Sequence, residues 1–150
     1  MRRQSKKFTL KLRYELRASR RTWLFSAIYA SPRSEERCIL WENLTKVVEL
    51  HKLSWVIAGD FNEPLIDEDK FEGRGVNING SLAFKDCLDR CSMVDMGFSG
   101  PRYTWTNNRD ISNLILERID RFLVNDVHEI YTIKYSYIYI FSLTFMLFCD

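Results

Sequence analysis

The run Trp55-Val56-Ile57-Ala58, halted by Gly59-Asp60, constrains this chain more than any other stretch. Apolar residues without alternation, stopped by a glycine, predict a short buried strand over Ser54–Ala58. A strand of this kind delivers polar residues at its carboxyl end, here within Gly59-Asp60-Phe61-Asn62. A carboxylate and an amide two residues apart converge on one point when the chain turns between them. The Asp can orient or deprotonate a water, or lie close to a hard cation. The Asn can donate to a phosphate oxygen without adding negative charge. Glycine before the Asp permits a tight bend and the close approach of a ligand. The same tetrapeptide is also a common turn, so the surrounding segments have to decide between the two readings.

Upstream, Phe8, Leu10, Leu12, Tyr14 and Leu16 alternate with mostly basic residues, which predicts a half-buried strand. Trp23 to Tyr29 predicts a second, more buried strand, and Tyr29 at its end can aim a phenol at the edge occupied by Asp60. Ser31-Pro32 predicts a helix N-cap and first position, with Glu35 and Glu36 near the positive end of the dipole. Trp41, Leu44 and Val48 supply the apolar stripe of a helix running to about Leu50. Residues 63–80 are polar and glycine-containing and predict a long functional loop. Ser81 is expected to cap a second helix with Phe84, Leu88 and Cys91 inward. Met96–Pro101 predicts a turn, with strands at Tyr103–Thr106 and roughly Ile115–Val124. Inside that last strand Asp120 would be a costly unpaired carboxylate, so it needs a partner, structural or catalytic.

With 150 residues, 46% of them hydrophobic and 14% aromatic, the chain can bury a real core and is not of disordered composition. Its four cysteines (Cys38, Cys87, Cys91 and Cys149) form no CxxC pair, which speaks against a zinc site or a disulfide framework. Cys87 and Cys91, four apart, stack on one helix face and read as buried thiols in a reducing, intracellular setting. The net charge of +2 hides a basic arm: Arg2, Arg3, Lys6, Lys7, Lys11, Arg13, Arg17, Arg20 and Arg21 face the single acid Glu15. Such an arm can neutralise phosphates of a nucleic acid, or can be the solvated edge of a hairpin. No apolar run follows it, so no secretory signal is expected. From Tyr135 to Cys149 there is no charged residue. A membrane span needs about 20 apolar residues. This run reaches that only by including Tyr131–Ile133, and Lys134 then interrupts it. The preferred reading is a core strand followed by an unrelated tail, with a membrane anchor as the alternative.

Four segments follow one another along the chain: Arg20-Arg21-Thr22-Trp23-Leu24-Phe25-Ser26-Ala27-Ile28-Tyr29-Ala30-Ser31-Pro32, then Trp55 to Glu63, Gly97 to Asn107, and Glu117 to Asn125. Taken together they resemble the endonuclease/exonuclease/phosphatase superfamily, and within it the endonuclease domain of plant LINE-type non-LTR retrotransposons. The resemblance runs from about Arg20 to Val124. It implies an α+β fold, a four-layer α–β–β–α sandwich of DNase I-like type, and Mg²⁺-assisted phosphodiester hydrolysis on DNA. By the same motifs, Asp60 is expected to position the attacking water and to be the nearest candidate metal ligand. Asn62 and Tyr29 are expected to contact the scissile phosphate, and Asp120 to orient the active-site histidine. Trp105 and Thr106, with Arg20 and Arg21, are expected to face nucleic acid, while Arg118 is expected to be a structural support.

Two parts of the family pattern are not found. The metal-binding Glu precedes the first matched segment, and the surroundings of Glu15 do not resemble it. The closing Ser-Asp-His is absent, and His128 in Asp126-Val127-His128-Glu129 lacks those neighbours. The expectation is therefore a truncated, incomplete sandwich: a basic strand region over 1–19, a partial domain over 20–130 and a divergent apolar tail over 131–150. Mg²⁺ is not expected to be retained, nor hydrolysis, although weak DNA binding through the basic arm can persist.

Overall fold

The computed structural model describes residues 8–16, 21–98 and 100–126. The elements run β1 (Phe8–Leu16), β2 (Arg21–Tyr29), α1 (Ser34–Leu50), β3 (Ser54–Asp60), β4 (Lys70–Phe71), α2 (Ile78–Arg90), β5 (Val94–Asp95), β6 (Trp105–Thr106), β7 (Leu116–Glu117) and β8 (Asp120–Val124). Five strands form one sheet in the order β1-β2-β3-β8-β5, and a second, three-stranded sheet has the order β4-β7-β6. β2 and β3 are parallel, joined through α1, while β1, β8 and β5 run antiparallel to their neighbours.

The larger sheet is apolar on both faces, because β2, β3 and β8 carry almost no polar alternation. One face contributes Leu24, Ile28, Trp55, Ile57 and Leu123 to the core beneath α1 and α2. The helices meet it with Trp41, Leu44 and Val47 from α1 and Phe84, Cys87 and Leu88 from α2. Phe61, fully buried just past β3, stacks against Phe84 and Trp41 with ring centroids 5.1 and 6.2 Å away. Ser26, buried among these apolar neighbours, accepts a hydrogen bond from Trp55 Nε1 at 3.0 Å. The opposite face gathers Trp23, Phe25, Ala27, Val56, Ala58, Phe122 and Val124 into a separate buried cluster.

The expected strands at Phe8–Leu16 and Trp23–Tyr29 and the helix to Leu50 are present, but several local expectations are corrected. α1 begins at Ser34 with Arg33 as its N-cap, not at Ser31-Pro32, and no side chain caps it. Ser31 Oγ instead accepts from Arg33 N–H at 3.2 Å, and the Ser31 carbonyl is taken by Arg37, so this serine serves the turn before the helix. α2 begins before Ser81, with Asn77 as the cap accepting from Gly80 N–H. Ser81 donates to the Leu65 carbonyl at 2.6 Å, tying the preceding loop to the helix. That loop is shorter than expected, because Lys70–Phe71 pairs as β4 and the helix takes residues from Ile78 onward. The single strand expected near Ile115–Val124 is two: β7 pairs with β4 and β6 in the small sheet, and β8 pairs with β3 and β5 in the large one. The break falls at Arg118-Ile119, where Arg118 N–H donates to the Asp69 carbonyl, and β periodicity alone does not reveal it.

Among the described residues no helix is long and apolar enough to cross a membrane. The tail on which an anchor would rest, 131–150, lies outside them, as does Cys149.

Candidate active site

Three strands of the large sheet end together. In the β2–β3 register Tyr29 lies opposite Asp60, and in the β3–β8 register Asp60 lies opposite Asp120. The three residues therefore form a row across one end of the sheet. Backbone bonds fix that row, with Ala30 N–H on the Asp60 carbonyl at 2.7 Å and Phe61 N–H on the Ile119 carbonyl at 2.9 Å. Phe61 plunges into the helix-side core, so the residues flanking it, Asp60 and Asn62, turn the other way. Gly59 makes the approach possible: its φ is +137°, and a Cβ there would stand 2.0 Å from the Ile28 carbonyl oxygen.

Asn62 closes the site onto Asp60. Its φ of 50° is left-handed, a region Asn tolerates better than most residues. Its backbone N–H donates to Asp60 Oδ1 at 2.8 Å, and its side-chain amide donates to Asp60 Oδ2 at 3.2 Å and to the Ala30 carbonyl at 2.9 Å. In this arrangement Asn62 holds the carboxylate rather than presenting a free donor. Tyr29 is half exposed at the outer end of the row.

Burial, with a smaller contribution from the Asp120 charge, pushes the Asp60 carboxyl up to about 6, against the lowering effects of the Asn62 N–H and the Arg37 charge. Asp120 is also raised by burial, with Thr104 opposing. Asp120 is the first residue of β8, at the rim rather than inside an apolar strand. The partner it requires is Thr104, whose hydroxyl oxygen accepts from the N–H groups of Ile119 and Asp120 at 3.2 and 3.1 Å. With two donors on its oxygen, the hydroxyl proton is left for the Asp120 carboxylate.

Two buried ion networks that motif reasoning missed support the row. Arg37 of α1 grips Glu63 Oε2 through Nε and Nη2 at 2.9 and 2.6 Å and the Ser31 carbonyl through Nη1 at 3.0 Å. It thereby clamps the chain just past β2 to the chain just past β3. Gly80 leaves room for the Glu63 carboxylate, since a Cβ there would lie 2.6 Å from both oxygens. On the other side, Asp69 and Asp95 share Arg118 and Arg121. Burial raises Asp69, but the Arg121 bond and charge and the N–H groups of Leu65 and Ile66 more than offset this, leaving it below the usual carboxylate range. Arg118 is thus a structural residue. The sequence signal available for these pairs was the presence of charged residues beside apolar strands, which names no partner.

Trp105 and Thr106 lie on β6 in the small sheet, next along the chain from Thr104, and Trp105 is exposed. Arg20 and the Arg21 side chain lie outside the described residues. As metal ligands the donor set is thin: among the described residues no group of three or more His, Cys, Asp or Glu side chains could hold an ion. Both Asp60 oxygens already accept hydrogen bonds from Asn62.

No family model matches the sequence, and no curated protein does. Solved structures do match. The endonuclease domain of TRAS1, a telomere-specific non-LTR retrotransposon, is 15% identical with a TM-score of 0.59, over 79% of this chain and 50% of that one. The 3′ phosphatase NExo from Neisseria, bound to product DNA hairpin, is 20% identical with a TM-score of 0.52, over 67% of this chain and 48% of that one. The human Nocturnin catalytic domain, with bound sulfate anion, is 16% identical with a TM-score of 0.51, over 81% of this chain and 42% of that one. The chain spans half or less of the length of each of these structures. At such identities the likeness shows the fold, which is DNase I-like, with two α-helices and two sheets among the described residues.

Proposed function

We propose that this chain is part of an endonuclease domain of retrotransposon type, directed at phosphodiester bonds in DNA. Its described residues carry the proton-handling edge of the site. The observation supporting this is the row Tyr29–Asp60–Asp120 across three neighbouring strands, closed by Asn62. A carboxylate near 6 is mostly ionised at neutral pH yet accepts a proton more readily than an ordinary Asp, which suits activation of a water. Asn62 fixes the orientation of that carboxylate, and the half-exposed Tyr29 is placed to offer its phenol to a phosphate oxygen.

Hydrolysis also requires the charge developing on the phosphate to be neutralised, commonly by a cation held on carboxylates. Among the described residues no group of three or more His, Cys, Asp or Glu side chains gathers at one point, and no step is assigned to a cation. Loss of a single acid–base group typically lowers rate by about 10²–10⁴-fold. Because no segment of the sequence resembles the family's metal-holding Glu or its closing Ser-Asp-His, this reading expects no hydrolysis by the 150-residue chain on its own.

Nicking of supercoiled plasmid by the purified chain in Mg²⁺ or Mn²⁺ tests this, with EDTA and Asp60→Ala as controls. Supercoiled DNA left intact, together with retention on immobilised DNA that weakens with salt, is the expected result. EDTA-sensitive nicking lost in Asp60→Ala would establish the second reading, a minimal active endonuclease, which the raised pKa of Asp60 favours.

A further inference from the structure

The first turns of α1 and α2 border one cavity of about 280 Å³, which is lined in part by Arg37 and Glu63. Glu63 is 2% exposed and Arg37 7%, and the two form a buried ion pair. The pairing is lopsided, because Arg37 Nε and Nη2 both donate to Glu63 Oε2, at 2.9 and 2.6 Å. Oε1 has no hydrogen-bond or ion-pair partner among the described residues. Nor is it among the polar atoms sealed from solvent without a partner, so it opens onto the cavity that Glu63 lines. Gly80 keeps the space beside it clear, since a Cβ there would stand 2.6 Å from Oε1. A carboxylate oxygen held this deep without a donor is costly. A ligand that brings the donor removes that cost.

The charges around the cavity define that ligand. A cation is opposed by Arg37 and by the positive ends of two helices, whose first N–H groups have no partner within the helix. An anion is opposed by Glu63 itself and by Glu35 on the wall of the cavity. A neutral molecule satisfies both, with an N–H donor for Oε1 and an acceptor beside it for the helix N–H groups. Trp41 and Ala83 supply an apolar wall, which suits a flat ring. The volume lies at the small end of ligand pockets, so the ring system is a small one.

We propose that this cavity binds a small, neutral, amino-substituted nitrogen heterocycle of the adenine kind. Its exocyclic amine donates to Glu63 Oε1, and the neighbouring ring nitrogen accepts from the first turn of α2. The inference is independent of the nuclease reading, since it uses none of Tyr29, Asp60, Asn62 or Asp120.

The test titrates the ¹⁵N-labelled full chain with 9-methyladenine, whose only N–H donor is the exocyclic amine, and in parallel with 9-methylpurine, which lacks that amine. Saturable shifts of the Asn79, Gly80 and Ala83 backbone signals are expected with 9-methyladenine, at a dissociation constant of about 1 mM for a ligand of this size. Binding of 9-methylpurine should be weaker by about tenfold or more, the loss of one hydrogen bond to a buried carboxylate. No saturable shift, as for a cavity that holds water alone, overturns the proposal. So do equal responses to the two compounds, or shifts confined to other parts of the chain. Ala83→Leu extends a side chain into the cavity without touching the ion pair, and is expected to abolish the response. Binding that persists in that variant also overturns the proposal. Because the first comparison uses the unaltered chain, the proposal remains falsifiable if the variant fails to fold.

Discussion

Asp60 and Asp120 are register partners on antiparallel strands β3 and β8, so two carboxylates share one end of the sheet. Each is raised above the ordinary Asp value, chiefly by burial, and Asp60 reaches about 6 with help from the Asp120 charge. A like-charged cross-strand pair does not stabilise a sheet. It persists because Arg37, Thr104 and the buried arginine network hold both strands from behind.

The pH dependence of stability follows from Asp60. Its folded pKa lies above the unfolded value of 3.8, so between those two values the folded chain holds a proton that the unfolded chain has released. This contribution favours the fold below about pH 4, declines as pH rises through about 6, and is level above that. Asp60→Asn removes it. Replacing one of the two oxygens that accept from Asn62 by an amide NH2 carries a cost independent of pH; on top of it, the melting temperature of the variant relative to the parent should rise by about 2–5 °C between pH 4 and pH 7.5. A relative melting temperature that rises on acidification would refute the assignment.

Arg121, 4% exposed, binds Asp69 and Asp95 together. Arg121→Met preserves much of the volume and leaves two carboxylates short of a partner. A loss of about 3–5 kcal/mol is expected in urea unfolding. Because Asp69 is held below the ordinary carboxylate range, its contribution is present above about pH 4 and is lost as pH falls further. The parent should therefore show an acid-unfolding limb that is reduced in the variant, and identical limbs would count against the network.

Thr104→Val keeps the shape and removes the hydroxyl that accepts from Ile119 and Asp120. Since Thr104 lowers the Asp120 pKa, the variant should titrate Asp120 at higher pH, read from its carboxyl carbon by NMR. The stability cost should be about 1–3 kcal/mol, because the Ile119 N–H belongs to a buried residue and loses its acceptor. An Asp120 midpoint that does not move would place the hydroxyl elsewhere.

Three glycines should respond differently to alanine. Gly59→Ala drives a Cβ to 2.0 Å from backbone at a left-handed φ, and should prevent the chain from folding. Gly80→Ala meets the Glu63 carboxylate at 2.6 Å and should weaken the Arg37 clamp, costing about 1–3 kcal/mol. Gly75→Ala meets nothing within 4 Å and should be neutral within about 0.5 kcal/mol. Thermal unfolding of the three variants side by side checks the order, and a tolerated Gly59→Ala would show that β3 does not approach β2 as described.

Local pattern alone determined the strands at Phe8–Leu16 and Trp23–Tyr29, the long helix, and the buried strand that brings Asp60 to a sheet edge. These are consequences of apolar periodicity, which depends on neighbours one to four residues away. The motif order also pointed to the DNase I-like fold and singled out Tyr29, Asp60, Asn62 and Asp120. Their register, the split of the 115–124 stretch between two sheets, and the use of Ser31 and Ser81 as loop ties rather than caps were decided by tertiary structure. So were the partners of Arg37, Arg118 and Arg121, which lie 23 to 52 residues away along the chain. A buried charge must find an opposite charge in space, and nothing in the residues beside it states which one the fold will deliver.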